Sequence, residues 1–199
     1  EDFATYCGAP IGEMKDYLVS ARTIMSTTDD STEFDGNGSV SLVGYYQPNE
    51  GCYELRAERI AKNAIRLCLY KWRLSKRTVT AQLLGYHNTS LPFQTGTYLR
   101  CSNRAQTVAE QASAYFGELF MRCRTVDGQT VVTVGVLNGS RKLSDSCINV
   151  SHYLLTYTDT EVGNPLTFGT FGFGSINCPA QFARMNFWTN GNGGTFPSV

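Results

Sequence analysis

A chain of 199 residues is long enough for one large domain with a real core, and 42% apolar residues place it outside the disordered class. Lysine plus arginine and aspartate plus glutamate both number 17, so the formal charge is zero. That excludes the basic excess of a typical nucleic-acid binder, and no apolar run approaches the ~18 residues of a membrane helix.

The chain starts "EDFATYCGAP", polar and acidic, which reads as a mature terminus left after processing. In "IGEMKDYLVSARTI", residues 11–24, Ile11, Met14, Leu18 and Ala21 recur at helical spacing and predict a helix. The acidic stretch "TTDDSTEFDGNG", 27–38, reads as an exposed loop. Its Asp35, Asn37 and Ser39 fit the first ligand positions of a calcium loop, but Val40 stands where that loop requires glycine, so no metal is assigned.

"SVSLVGYY", 39–46, predicts a strand, and "LRAERIAKNA", 55–64, is rich in helix formers. The basic cluster "KWRLSKR", 71–77, carries four positive charges and reads as a solvated strand or turn, with an anionic partner as the sharper alternative. Strands follow at 78–90 and 96–102, then a helix-friendly stretch at 107–118. Asp127-Gly128 between alternating apolar residues is a strong hairpin signal. Folded there, Cys123 opposes Val132, Met121 opposes Val134 and Leu119 opposes Val136 on one buried face. Arg122, Arg124 and Thr133 take the other face. Helix-then-hairpin patterns over 55–102 and 107–158 suggest an internal pseudo-repeat.

Further strands are expected at 151–158, 167–176 and 183–189. The stretch "TFGTFGFGSINCP", 167–179, has the wrong glycine order for a phosphate loop, and no lysine or helix follows it. As a strand it puts Phe171 and Phe173 on one face and Gly172 and Gly174 on the other. Glycine inside a strand marks a bulge or the close approach of another backbone, of this chain or of a second molecule. The end of the chain, 186–199, is aromatic and then glycine-rich, and reads as a docking tail carrying Phe187, Trp188 and Phe196.

Seven cysteines (Cys7, Cys52, Cys68, Cys101, Cys123, Cys147 and Cys178) are spaced 16 to 45 residues apart, without the close pairs of a zinc site. Sequons occur at Asn37, Asn88, Asn138 and Asn149. Spread cysteines beside sequons point to disulfides and N-linked glycans in an oxidising compartment.

Catalysis finds little support. The two histidines, His87 and His152, abut sequons, and no nucleophile motif frames a serine or cysteine. The carboxylates of 27–38 and of "TDTEVGN", 158–164, read as solvated loops without the desolvation a catalytic acid needs.

The sequence therefore predicts a mainly β, antiparallel, sandwich-like fold with one to three short helices and stabilising disulfides. It predicts one domain over 1–185 and a tail over 186–199. The expected function is that of a secreted structural subunit that self-associates by strand or tail exchange, without cofactor. The alternative is a carbohydrate-binding ectodomain using Tyr45, Tyr46, Trp72 and Trp188.

Overall fold

The computed structural model describes residues 2–5, 14–25, 38–61, 64–75, 78–89, 117–137, 153–176 and 180–189. Every regular element among them is a strand. In chain order these are β1 (Asp2–Thr5), β2 (Asp16–Met25), β3 (Ser39–Gln47), β4 (Gly51–Ala61), β5 (Ala64–Ser75) and β6 (Thr78–Thr89). They continue with β7 (Gly117–Val126), β8 (Gln129–Leu137), β9 (Tyr153–Asp159), β10 (Thr170–Ile176) and β11 (Ala180–Thr189). The strands form two antiparallel sheets. Sheet A has the order β1-β10-β3-β4-β5-β6, and sheet B the order β11-β2-β7-β8-β9.

Asp127 and Gly128 both adopt positive φ, 50° and 78°, the geometry a two-residue hairpin turn needs to match strand twist. The register of β7 on β8 follows from it: Cys123 faces Val132, Met121 faces Val134 and Leu119 faces Val136.

The two sheets pack face to face. Tyr17, Val19 and Ala21 of β2, Leu119, Met121 and Cys123 of β7, and Val132 and Val134 of β8 form one wall of the core. Val40 and Leu42 of β3, Tyr53, Leu55 and Ala57 of β4, Leu67 and Leu69 of β5, and Phe171 and Phe173 of β10 form the other. Each valine, leucine, methionine or phenylalanine among them, when fully buried, contributes about 1.5–3 kcal/mol.

Where they are described, the helices expected at 11–24 and 55–64 are replaced by strands, over 16–24 and over 55–61. Residues 16–24 lie in β2, where Leu18 and Ser20 are as fully buried as Tyr17 and Val19. A strand covered on both faces loses its polar alternation, and its apolar positions then mimic a helical period. Residues 55–61 lie in β4, where Leu55 and Ala57 enter the core and Arg56 and Glu58 do not. Pairing on both sides with β3 and β5 overrides helix propensity there. No helix occurs among the described residues, and so none there is long and apolar enough to cross a membrane. The strand expected at 96–102 and residues 107–116 lie outside the described residues. The boundary drawn between 185 and 186 falls inside β11, whose residues 186–189 pair with β2.

The β9–β10 connection, 160–169, crosses from sheet B to sheet A and is tied at several points. Gln47 Nε2 donates to the carbonyls of Pro165 and Phe168 at 2.7 and 2.8 Å. Thr130 Oγ1 donates to the Leu166 carbonyl at 2.7 Å, and the Gly169 amide to that of Met14 at 3.1 Å. Gly169 has φ 147°, and a Cβ there would lie 2.7 Å from the Tyr45 carbonyl carbon. A backbone thus comes close to a glycine of this stretch, at Gly169 just before β10.

Candidate functional site

The residues singled out for assembly meet on one side of the sandwich, where β10 of sheet A lies over β11 of sheet B. The register of β10 on β3 puts Phe173 opposite Leu42, so Phe173 and Phe171 point inward. The register of β11 on β2 puts Phe187 opposite Val19 on the inner face and Trp188 opposite Leu18 on the outer face. Phe171 and Phe187 then stack across the gap, with centroids 5.0 Å apart and planes at 22°. Phe173 meets Phe182 at 5.2 Å, and the Tyr17 ring lies 6.1 Å from Phe171 and 5.8 Å from Phe187. These rings form an aromatic seam between the sheets.

The two halves of the seam differ in exposure. Phe171 and Phe173 are buried, whereas Phe182 is half-buried and Phe187 is 40% exposed; Met185, also on β11, is 59% exposed. The strand β10 is also flanked on both sides: Gly174 sits between Phe3 and Ser41, and Gly172 between Thr5 and Val43. Of the two backbones that could approach Gly172 and Gly174, those of this chain do so among the described strands, β1 on one side and β3 on the other. Phe171 and Phe173 are core residues. β11 is an edge strand, as are β1, β6 and β9, and among the described strands it pairs with β2 alone. Its ladder carries a bulge between Ala183 and Asn186. Phe182, which sequence reading passed over, is recognisable by its odd-numbered offset from Phe187 once that bulge is allowed for. Phe196 lies outside the described residues.

A second constellation, which sequence reading missed, ties the far end of sheet A to the 160–169 connection. Lys71 is 4% exposed and faces the core from β5, donating to Asp159 Oδ2 and, at 2.5 Å, to Glu161 Oε2. Tyr53 Oη donates to Asp159 Oδ2 at 2.5 Å and accepts from Asn164 Nδ2 at 2.9 Å. Arg73 reaches Glu161 Oε2 at 2.5 Å and Asn164 Oδ1 at 3.2 Å. Burial alone would raise the Asp159 carboxyl, but hydrogen bonds from Lys71 and Tyr53 outweigh it and hold it below its ordinary value. Hydrogen bonds from Lys71 and Arg73 do the same for Glu161. Lys71, Tyr53 and Arg73 thus hold the two carboxylates in their charged form and clasp the connection to sheet A. Lys71 and Asp159 correct the reading of 71–77 and 158–164 as solvated. The available signal was alternation: Lys71 is in phase with Leu67 and Leu69.

A third cluster lies on the other face of sheet A. Glu54, fully buried, accepts from Arg56 Nε at 3.1 Å, from an Arg56 terminal nitrogen at 2.9 Å and from Trp72 Nε1 at 2.6 Å. The Arg56 guanidinium lies 4.9 Å from the Tyr70 ring centroid and 5.7 Å from that of Trp72. Trp72 is therefore committed within the sheet. Tyr45 is buried in the core, where it holds φ 49° and its amide donates to Tyr17 Oη at 2.6 Å. Trp188 belongs to sheet B. Of the aromatics named for sugar stacking, Tyr45 is thus in the core and Trp72 and Trp188 belong to different sheets.

Cys52, Cys68 and Cys123 are buried, and no disulfide occurs among the described residues. Cys7, Cys101, Cys147 and Cys178 lie outside them, as do the sequons at Asn37, Asn138 and Asn149. Asn88 is exposed on β6. Among the described residues no group of three or more histidine, cysteine or acidic side chains is placed to hold a metal ion. Set against known protein families and curated proteins, the chain matches no family model and no curated sequence.

Proposed function

We propose that the chain is a secreted, N-glycosylated structural protein, a subunit of an extracellular filament, coat or matrix. Copies join by exchanging strand β11. The observation that carries this reading is the asymmetry of the aromatic seam. One half, Phe171 and Phe173, is fixed in the core, and the other half sits on an edge strand with Met185 and Phe187 exposed. An edge strand is a ready template for pairing with another chain. Exchange of an identical element between copies needs no new interface, because the β11 of a second copy meets the same β2 register and the same Phe171 ring.

Four sequons and seven cysteines support secretion. Cys68 and Cys123 sit in the sheets as buried thiols, so the proposed disulfides draw on the other cysteines, with Cys7, Cys101, Cys147 and Cys178 foremost. Binding of a sugar is the weaker reading, because Tyr45 is buried and Trp72 and Trp188 belong to different sheets.

Sedimentation velocity of the secreted chain, run without reductant over a hundredfold concentration range, tests the proposal. Oligomers or polymers in the native chain, shifted toward monomer by Phe187→Ala, are expected. A monomer at every concentration overturns it.

A further inference from the structure

The outer face of β6 carries three large apolar side chains in the open: Val79, Leu83 and Tyr86, the last 60% exposed. Such residues on an edge strand are a liability unless something covers them. Asn88 stands two residues after Tyr86, so strand alternation puts both side chains on one face, about 7 Å apart along the chain. Across the ladder, Tyr86 faces Cys68 and Asn88 faces Arg66. Arg66 links the pair: its Nε donates to Asn88 Oδ1 at 3.3 Å, and its guanidinium lies 5.6 Å from the Tyr86 ring centroid. Bound this way, Asn88 presents Nδ2 as the atom left for modification.

From this arrangement we infer that Asn88 carries an N-linked glycan whose first sugar packs on the Tyr86 ring. The inference rests on the secreted reading of the chain. In the covalent step, Asn88 Nδ2 attacks C1 of the first N-acetylglucosamine of a lipid-pyrophosphate-linked oligosaccharide. The C1–N bond forms, the C1–O bond breaks, lipid pyrophosphate leaves and Nδ2 loses one proton. The attached sugar offers an apolar C–H face that matches an aromatic ring, and its acetamido and hydroxyl groups stay in water. The Tyr86 ring is the only large aromatic surface one alternation away from Asn88 on that face of β6. The glycan thereby covers the exposed end of β6 and keeps that edge from pairing.

Ser90→Ala removes the acceptor motif and keeps Asn88 with its Arg66 contact. The full chain, secreted from a eukaryotic cell, is compared with this variant in three backgrounds: native, Tyr86→Phe and Tyr86→Ala. Glycopeptide mass spectrometry should find Asn88 occupied in the parent chains. Loss of the glycan should lower Tm by about 2–4 °C in the native and Tyr86→Phe backgrounds and leave it unchanged in Tyr86→Ala. An equal drop in all three backgrounds overturns the packing. Other sequons occupied with Asn88 bare overturns the site alone. No sequon occupied overturns both the site and the secreted reading.

Discussion

The ring of Phe187 lies on the ring of Phe171, centroids 5.0 Å apart, and joins the edge of one sheet to the interior of the other. Phe171 is fixed by two neighbouring strands, and Phe187 is held through β11, which among the described strands pairs with β2 alone. Phe187→Ala should therefore destabilise the fold by about 1–3 kcal/mol, less than a fully buried phenylalanine, because the ring is 40% exposed. Equilibrium urea unfolding measures it, and a change under 0.5 kcal/mol would show that the seam contributes little.

Gly44 lies against two sulfur atoms of the facing sheet. A Cβ there would sit 2.5 Å from both Cys123 Sγ and Met121 Sδ. Gly44→Ala should cost about 1–3 kcal/mol through overpacking, and Gly44→Ala combined with Met121→Ala should recover part of the packing strain. Additive losses in the double variant would contradict the contact.

Lys71 is the cation at the centre of the clasp. Lys71→Ala leaves the Asp159 carboxylate buried without its cation and should cost about 3–5 kcal/mol. Replacing both partners, with Lys71→Met and Asp159→Leu, should cost less than the single change.

The clasp also sets an acid limit. Asp159 and Glu161 have folded pKa values below their ordinary ones, so the stability they confer is complete above the unfolded carboxylate value of about 4. It is lost as pH falls through the lower folded values. The urea midpoint of the native chain should fall below about pH 4, and Asp159→Asn should flatten that fall. A native-like slope in Asp159→Asn would place the acid sensitivity elsewhere.

Cys68 and Cys123 should resist alkylation. Burial, and then the charge of Glu58, push the Cys68 thiol up to about 11, and burial pushes Cys123 higher still. At pH 8 both are thiols, and the thiolate is the reactive form. Mass spectrometry after iodoacetamide should find both unlabelled in the folded chain and labelled in urea. Labelling of Cys123 in the folded chain would show that the core opens.

What the sequence displayed was what strands encode locally. Asp127-Gly128 and the alternation around it set the β7–β8 register, because turn geometry fixes which residues face each other. Phe171 and Phe173 could be assigned to one face, but their partners Phe187 and Phe182 come from another sheet, and no local pattern names a partner across a sandwich. β2 was hidden because Leu18 and Ser20 are buried with Tyr17 and Val19, which erases the period of two. Lys71 was hidden by its neighbours: Arg73 and Lys76 make 71–77 look solvated, although Lys71 shares a face with Leu67 and Leu69. Which edges of the sheets are open depended on strand order, a long-range property.

The exchange of β11 is tested most directly by trapping it. Asn186 of β11 stands opposite Ser20 of β2, so Ser20→Cys with Asn186→Cys places a cysteine pair across that ladder. The oxidised double variant, run on a denaturing gel without reductant, reports which chain supplies β11. A ladder of covalently joined chains, absent from either single variant and collapsed by reductant, is the result expected. A cross-linked monomer alone would show that each chain keeps its own β11, and would contradict assembly by strand exchange.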